Sequence, residues 1–127
     1  LRASGAPEAK AAMERAADWL RAVQNADGGW GESCASYVHD HFVPAPSTAS
    51  QTAWAVLGLL AAGKHDTPAF RRGVDYLIAN QTEEGTWKED FATGTGFPNV
   101  FYMRYTLYCQ HFPLMALALG TRALSGA

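Results

Sequence analysis

Five aromatic residues fall within twelve positions near the C-terminal end of the chain, and their rings could act together on one apolar partner. They are Phe97, Phe101, Tyr102, Tyr105 and Tyr108. The face of an aromatic ring attracts a nearby cation by about 0.5–2 kcal/mol, and by more where water is excluded. The cluster is therefore suited to line a cavity in which positive charge develops. The alternative is that the rings fill a core between helices.

Cysteine and histidine residues do not form a pattern typical of a metal site or of a nucleophilic enzyme. Cys34, His39 and His41 share one segment, but the sequence has no second cluster of paired ligands. We interpret Cys34 and Cys109 as small apolar residues and His111 as a capping residue at a helix start. A Gly-x-Ser-x-Gly motif, typical of hydrolases, does not occur. We predict no metal and no cofactor.

Length and composition predict one soluble, folded domain over residues 1–127. The chain has 48% hydrophobic and 17% charged residues, which is enough apolar material for a core. A net charge of −2 does not favour nucleic-acid binding. Two cysteines suit a reducing compartment, and no apolar run is long enough to cross a bilayer. The first residues do not resemble a signal peptide.

The elements that must position the aromatic residues are predicted to be helices. Apolar residues recur at helical spacing from Pro7, over 47–62, from Pro68 and from about Pro113. Thr67 is expected to cap the third helix, and Gly63 to end the second. Long loops are expected at 31–46 and 88–100, with one short extended piece over 101–105. The sequence predicts an all-α fold.

A repeated unit underlies this helical pattern. Placing Gln24 on Gln81 aligns residues 15–30 with residues 72–87 without a gap. Each copy carries a glutamine, a glycine and a tryptophan at the same spacing, namely Gln24, Gly28 and Trp30, then Gln81, Gly85 and Trp87.

These three residue types predict a device that braces the end of a helix. The glutamine amide is expected to tie the last helical carbonyls to N–H groups of the next loop. The glycine permits a turn with positive φ, and the indole then covers the helix end.

The two copies resemble the QW motif of triterpene cyclases. Residues 93–105 resemble the C-terminal signature of squalene–hopene cyclases, as do residues 29–34 and 50–55. The resemblance covers nearly the whole chain. It implies helices of an (α/α) toroidal barrel joined by long loops with two QW-type turns. It also implies that the chain is the C-terminal portion of a much longer enzyme.

The activity implied by the resemblance is the cyclisation of squalene to hopene and hopanol through a cascade of carbocations. By the same resemblance, Phe97 and Phe101 match phenylalanines that stabilise late cations. Tyr105 and Tyr108 match tyrosines that shape the pocket, and Tyr102 lies among them. Arg104 departs from the family pattern, and its charge is tolerable only if it points away from the cavity.

The acid that would start this reaction is not found in the sequence. The family uses an Asp-x-Asp-Asp motif, which this chain lacks. We interpret Glu83–Glu84 and Glu89–Asp90 as solvated loop charges. The isolated chain is therefore predicted to be inactive, with no catalytic residue of its own.

The resemblance also implies a parent isomerase or lyase of hopanoid biosynthesis. That parent would bind peripherally, as a monotopic protein, to the cytoplasmic side of the cell membrane, and a homodimer is left open. Three alternatives remain: a protein prenyltransferase-type toroid, a non-catalytic α-helical binding module, and another terpenoid cyclase. The last would act on oxidosqualene or on a shorter polyprenyl diphosphate.

Overall fold

Helices are the main elements in a computed structural model that describes residues 5–97 and 100–125. The helices are α1 (Pro7–Ala22), α2 (Ser36–His39), α3 (Ala49–Ala61), α4 (Pro68–Ala79) and α5 (Tyr108–Ser125). Four short strands accompany them, β1 (Trp30–Glu32), β2 (Pro44–Thr48), β3 (Gly94–Phe97) and β4 (Phe101–Met103). The prediction of a mostly helical fold is confirmed.

Local signals place the starts of the helices. Pro7 and Pro68 occupy first-turn positions, where a missing backbone N–H loses no intrahelical bond. The Thr67 side chain accepts a hydrogen bond from Phe70 N, so the predicted cap is confirmed. Thr48 caps α3 in the same way by accepting from Gln51 N. Gly63, with a φ of 73°, follows the end of α3 as expected.

The segments predicted to be long loops, 31–46 and 88–100, also contain short strands, with residues 98–99 outside the described part of the chain. β1 pairs with β2 in one antiparallel ribbon, and β3 pairs with β4 in a second. Both ribbons contain proline or glycine, which are uncommon in strands, so the sequence does not indicate them. A Cβ on Gly31 would lie 2.1 Å from the carbonyl oxygen of Pro46, so β1 and β2 can pair only because residue 31 is glycine.

The predicted start of the last helix near Pro113 is also wrong. α5 begins at Tyr108, so Pro113 and His111 lie inside it and His111 does not cap a helix start. Proline near a helix start removes only one backbone hydrogen bond. The extra turn brings the rings of Tyr108 and Phe112 within 5.7 Å and 5.4 Å of the Trp54 ring on α3. We attribute the longer helix to this aromatic packing.

The core lies around α3, which packs against α1, α4 and α5. Its central side chains are fully buried and come from α3 and α4: Val56, Leu59, Phe70 and Leu77. Both tryptophans of the repeated unit, Trp30 and Trp87, join this core. Of the helices in the described ranges, none combines the length and apolar character needed to cross a bilayer.

Candidate functional site

The first repeated turn joins the end of α1 to the start of α4. The indole N–H of Trp30 donates to Leu20 O at 2.8 Å, while the Gln24 amide donates to Gly28 O at 2.8 Å and Ala69 O at 2.9 Å. The Arg72 guanidinium donates to the Gln24 side-chain oxygen. Gly28 has a φ of 90°.

The second turn repeats the local part of this arrangement. Trp87 donates to Leu77 O at 2.8 Å, Gln81 donates to Gly85 O at 2.9 Å, and Gly85 has a φ of 78°. In both copies the indole bonds the helical carbonyl, so the glutamine amide bonds a carbonyl of the turn instead. The prediction that the glutamine amide binds the last helical carbonyls is wrong, because the tryptophan N–H already donates to a carbonyl at the end of the helix.

Tyr76 takes the place in the second copy that Trp19 has in the first, and its hydroxyl donates to Ser47 O at 3.0 Å. Burial raises the pKa of Tyr76 above its ordinary value of 10.0, and the Asp27 and Glu89 carboxylates raise it further. A pKa raised by folding stabilises the folded chain below pH 10.0, and this contribution is lost as the pH rises through the folded pKa.

Tyr76→Phe should therefore flatten the alkaline decline of stability. It should also lower the free energy of unfolding at pH 7 by about 0.5–1.5 kcal/mol, because one hydrogen bond is lost. Urea unfolding from pH 7 to 11 measures both effects. Tyr37→Phe is the control, since the Tyr37 side chain is about half exposed. An alkaline decline that is equal in Tyr76→Phe and the unmutated chain would contradict the prediction.

The five candidate aromatic residues fall into two groups. Phe97 and Phe101 lie in the β3–β4 hairpin with their ring centroids 5.8 Å apart, edge to face. The Tyr102 ring lies 5.9 Å from the ring of Tyr37 on α2. Phe97 is 66% exposed and Phe101 44% exposed, although both are large and apolar. The hairpin therefore presents two aromatic rings to its surroundings.

The second group lies at the start of α5. Tyr105 stacks on Tyr108 with centroids 4.6 Å apart, and Tyr108 contacts Phe112 edge to face at 5.3 Å. Both Tyr108 and Phe112 pack against Trp54. The sequence analysis did not single out Trp54 or Phe112. The spacing of Tyr108 and Phe112, four residues apart and hence on one helix face, is the signal that could have found Phe112.

A cleft of about 580 Å³ lies between α1, β1, α2 and α3, and none of the five candidate residues lines it. Its aromatic lining is Trp19, Trp30, Tyr37, Phe42 and Trp54. Two of these residues also contact the aromatic groups, since Tyr37 lies against Tyr102 and Trp54 against Tyr108. The cleft is not evident from the sequence, because α2, which supplies Tyr37, lies in a segment predicted to be a loop.

Two polar side chains on the cleft are not arranged for nucleophilic chemistry. Burial raises the pKa of the Cys34 thiol, with a further contribution from the Glu32 carboxylate, so the thiol stays protonated. Its Sγ contacts Ala92 O at 3.3 Å. Thr93 Oγ1 is buried and has no hydrogen-bond partner within the described residues.

The acidic residues near the second turn have different roles. Asp90 is almost fully exposed. Glu89 accepts hydrogen bonds from Ser50 N at 2.9 Å and from Ser50 Oγ at 2.7 Å. The interpretation of Glu89 as a solvated charge was therefore wrong, because this carboxylate holds the start of α3. A hydrogen bond from Thr82 lowers the pKa of Glu84, which favours its ionised form and does not suit an acid catalyst.

Over residues 5–97 and 100–125, no three His, Cys, Asp or Glu side chains come together in a way that could hold a metal ion.

Similarity to known proteins identifies the family of this chain. The model of the squalene–hopene cyclase C-terminal domain matches residues 1–122. The chain belongs to this family. The resemblance found in the sequence is thereby confirmed, and the mostly helical fold agrees with membership of a family of toroidal cyclases.

Individual relatives of the squalene–hopene cyclase family are similar over most of this chain. The squalene–hopene cyclase of Zymomonas mobilis is 51% identical over 120 residues, covering 93% of this chain and 18% of the relative. That of Bradyrhizobium diazoefficiens is 59% identical over 108 residues, covering 84% and 16%. The dammaradiene synthase of Dryopteris crassirhizoma is 48% identical over 122 residues, covering 84% and 18%. The chain thus spans less than a fifth of the length of these relatives.

Proposed function

We propose that the chain is the C-terminal part of a squalene–hopene cyclase, in which its two aromatic groups form one section of the wall of the active cavity. The observation that carries the proposal is the exposure of Phe97, Phe101 and Tyr105 in a chain of this family. Large aromatic rings that are exposed in pairs mark a surface that contacts an apolar partner. The partner would be the polyene squalene.

The chemistry that this wall would perform is electrostatic. Cyclisation moves positive charge along a hydrocarbon that has no polar group to stabilise it. The edge-to-face pair of Phe97 and Phe101 offers a ring face to a cation, and the stacked pair of Tyr105 and Tyr108 offers a second. Stabilisation that grows with the charge lowers the barrier rather than merely binding the substrate.

The acid that protonates the polyene would come from the part of the enzyme that precedes this chain. The described carboxylates with a shifted pKa, Glu14 and Glu84, both have it lowered, whereas a general acid must stay protonated. An enzyme that takes squalene from a lipid phase would lie on the cytoplasmic face of the membrane. Membrane attachment and a homodimer are part of the proposal for the longer protein, and the isolated chain is expected to stay soluble.

A second cyclase function is favoured by one comparison. The dammaradiene synthase relative is nearly as similar to this chain as the squalene–hopene cyclase of Zymomonas mobilis. By this similarity the chain would be part of a dammaradiene synthase.

A chimera tests the proposal directly. Residues 1–122 would replace the matching C-terminal segment of the Zymomonas mobilis enzyme, and products from squalene would be followed by mass spectrometry. We expect the chimera to cyclise squalene and the isolated chain not to do so. A folded chimera without cyclase activity would contradict the proposal and favour the binding module.

Substitution of one ring in the chimera tests the role of the aromatic wall. Phe101→Leu keeps an apolar side chain but removes the ring, so we expect turnover to fall by roughly 2- to 30-fold and partly cyclised products to increase. Phe91→Leu is the matched control, since Phe91 is half exposed and belongs to neither aromatic group. Equal product profiles for the two variants would contradict a role for Phe101.

A further inference from the structure

The β3–β4 hairpin that carries Phe97 and Phe101 is closed at its base by one arginine. Arg104 directly follows β4, and its Nη1 donates to Glu89 O at 3.0 Å and lies 3.4 Å from Asp90 Oδ1. Glu89 and Asp90 precede β3. This contact joins the residue that follows β4 to the residues that precede β3. It directs the Arg104 charge to the base of the hairpin.

The side chain of Glu89 fixes that base to the core. Its two carboxylate oxygens accept from the backbone N and the hydroxyl of Ser50, at 2.9 Å and 2.7 Å. Ser50 is fully buried in the first turn of α3. A carboxylate at a helix N-terminus gains from the helix dipole, and hydrogen bonds to an ionised group are stronger than neutral ones.

Two further contacts of the hairpin region are a thiol contact and a contact between two rings. The Cys34 thiol reaches Ala92 O at 3.3 Å, and a thiol is a poor hydrogen-bond donor. The rings of Tyr37 and Tyr102 are tilted by 32° at 5.9 Å. Phe97 and Phe101 are too exposed to anchor the strands that carry them.

We propose that Ser50, Glu89 and Arg104 form a clamp that sets the position of the β3–β4 hairpin relative to α3. Glu89 and Arg104 are positioning residues, since they act on a substrate only through Phe97 and Phe101. The effect on catalysis rests on the proposed function, whereas the effect on the hairpin does not. A ring moved out of its productive place can lose up to what its removal costs, roughly 2- to 30-fold in turnover.

Amide hydrogen exchange on the 127-residue chain tests the clamp. Arg104→Met should accelerate exchange of the hydrogen-bonded amides in β3 and β4 by about tenfold, because a hydrogen bond to a charged group is lost. The amides of residues 54–60 in α3 should be unaffected, since the two oxygens to which Arg104 donates lie outside that helix. Arg104→Lys should largely restore the slow exchange, because an ammonium group can donate to the same two oxygens.

Glu89→Gln should produce the same local acceleration, together with faster exchange in the first turn of α3, because a neutral amide lacks the charge that strengthens the bonds to Ser50 and the attraction to the helix dipole. Adding Arg104→Met to Glu89→Gln should produce less than the product of the two single effects. The controls are Glu83→Gln and Arg71→Met, which make the same chemical changes at exposed positions.

Two results would overturn the clamp. One is β3 and β4 amides that exchange without protection in the unmutated chain. The other is equal hairpin exchange in Arg104→Met and Arg71→Met.

The same variants in the cyclase chimera separate the clamp from the proposed function. If both hold, Arg104→Met should increase partly cyclised products from squalene, and Arg104→Lys should reverse this. An inactive chimera with locally accelerated hairpin exchange contradicts the proposed function and leaves the clamp intact. An active chimera in which Arg104→Met changes neither exchange nor products overturns the clamp alone.

Discussion

Replacing Trp30 with alanine should lower the free energy of unfolding by about 3–5 kcal/mol. The Trp30 ring is 4% exposed and lies against Gly73, where an added Cβ would come within 2.7 Å of it. Its indole N–H also satisfies Leu20 O at the end of α1. Truncation would leave a cavity between α1, α3 and α4 and an unpaired carbonyl. A domain has only about 5–15 kcal/mol of stability in total, so the loss would be large.

Chemical denaturation of the chain measures this loss of stability. Two further variants test how much of it comes from the N–H and from the buried position of the ring. Trp30→Phe keeps much of the ring but removes the N–H, so it should cost about 1–3 kcal/mol. Trp19→Ala is the matched control, because Trp19 is 47% exposed and contacts Phe42 at the surface. If Trp30→Ala and Trp19→Ala were equally destabilising, the tryptophan of the turn would not be part of the core.

The equivalent glycines of the two repeats should respond differently to alanine. Both have positive φ, which costs an L-residue roughly 1–2 kcal/mol. A Cβ on Gly28 would also lie 2.8 Å from Arg72 O, whereas on Gly85 its nearest neighbour is Gln81 Nε2 at 3.7 Å. Gly28→Ala should therefore cost about 2–5 kcal/mol, since a clash with the backbone is added to the strain. Gly85→Ala should cost only the strain.

Thermal and urea unfolding of these two variants would give the difference directly. The comparison is controlled internally, because the substitution, the turn and the sign of φ are the same. Equal losses in the free energy of unfolding would mean that α4 can move away from a Cβ at position 28 without a cost in stability. A loss from Gly85→Ala greater than that from Gly28→Ala would contradict the prediction outright.

The unequal glycines reflect how the first turn is used. The Gln24 amide N–H donates to Ala69 O, and the Gln24 side-chain oxygen accepts from Arg72. This turn therefore holds the first repeat against the second. The amide of Gln81 instead bonds Gly85 O within its own turn. The sequence shows two identical motifs, but their packing in this chain differs.

Local features of this protein were determined by its sequence alone. The caps and first-turn prolines predicted α4 from Thr67 and α1 from Pro7, because these signals act between residues close in the chain. The repeated spacing of glutamine, glycine and tryptophan identified the family for the same reason. Such a motif is a short-range arrangement, and its chemistry is fully contained in about sixteen consecutive residues.

Other features were decided only by the tertiary structure. The sequence does not show that Glu89 reaches Ser50, that Arg104 closes the hairpin, or that Tyr108 starts a helix by packing on Trp54. Each depends on contacts between residues distant in sequence, and those contacts outweigh local propensity. The strand at Pro44–Thr48 is the clearest case, because backbone pairing with Trp30–Glu32 stabilises residues that avoid strands on their own.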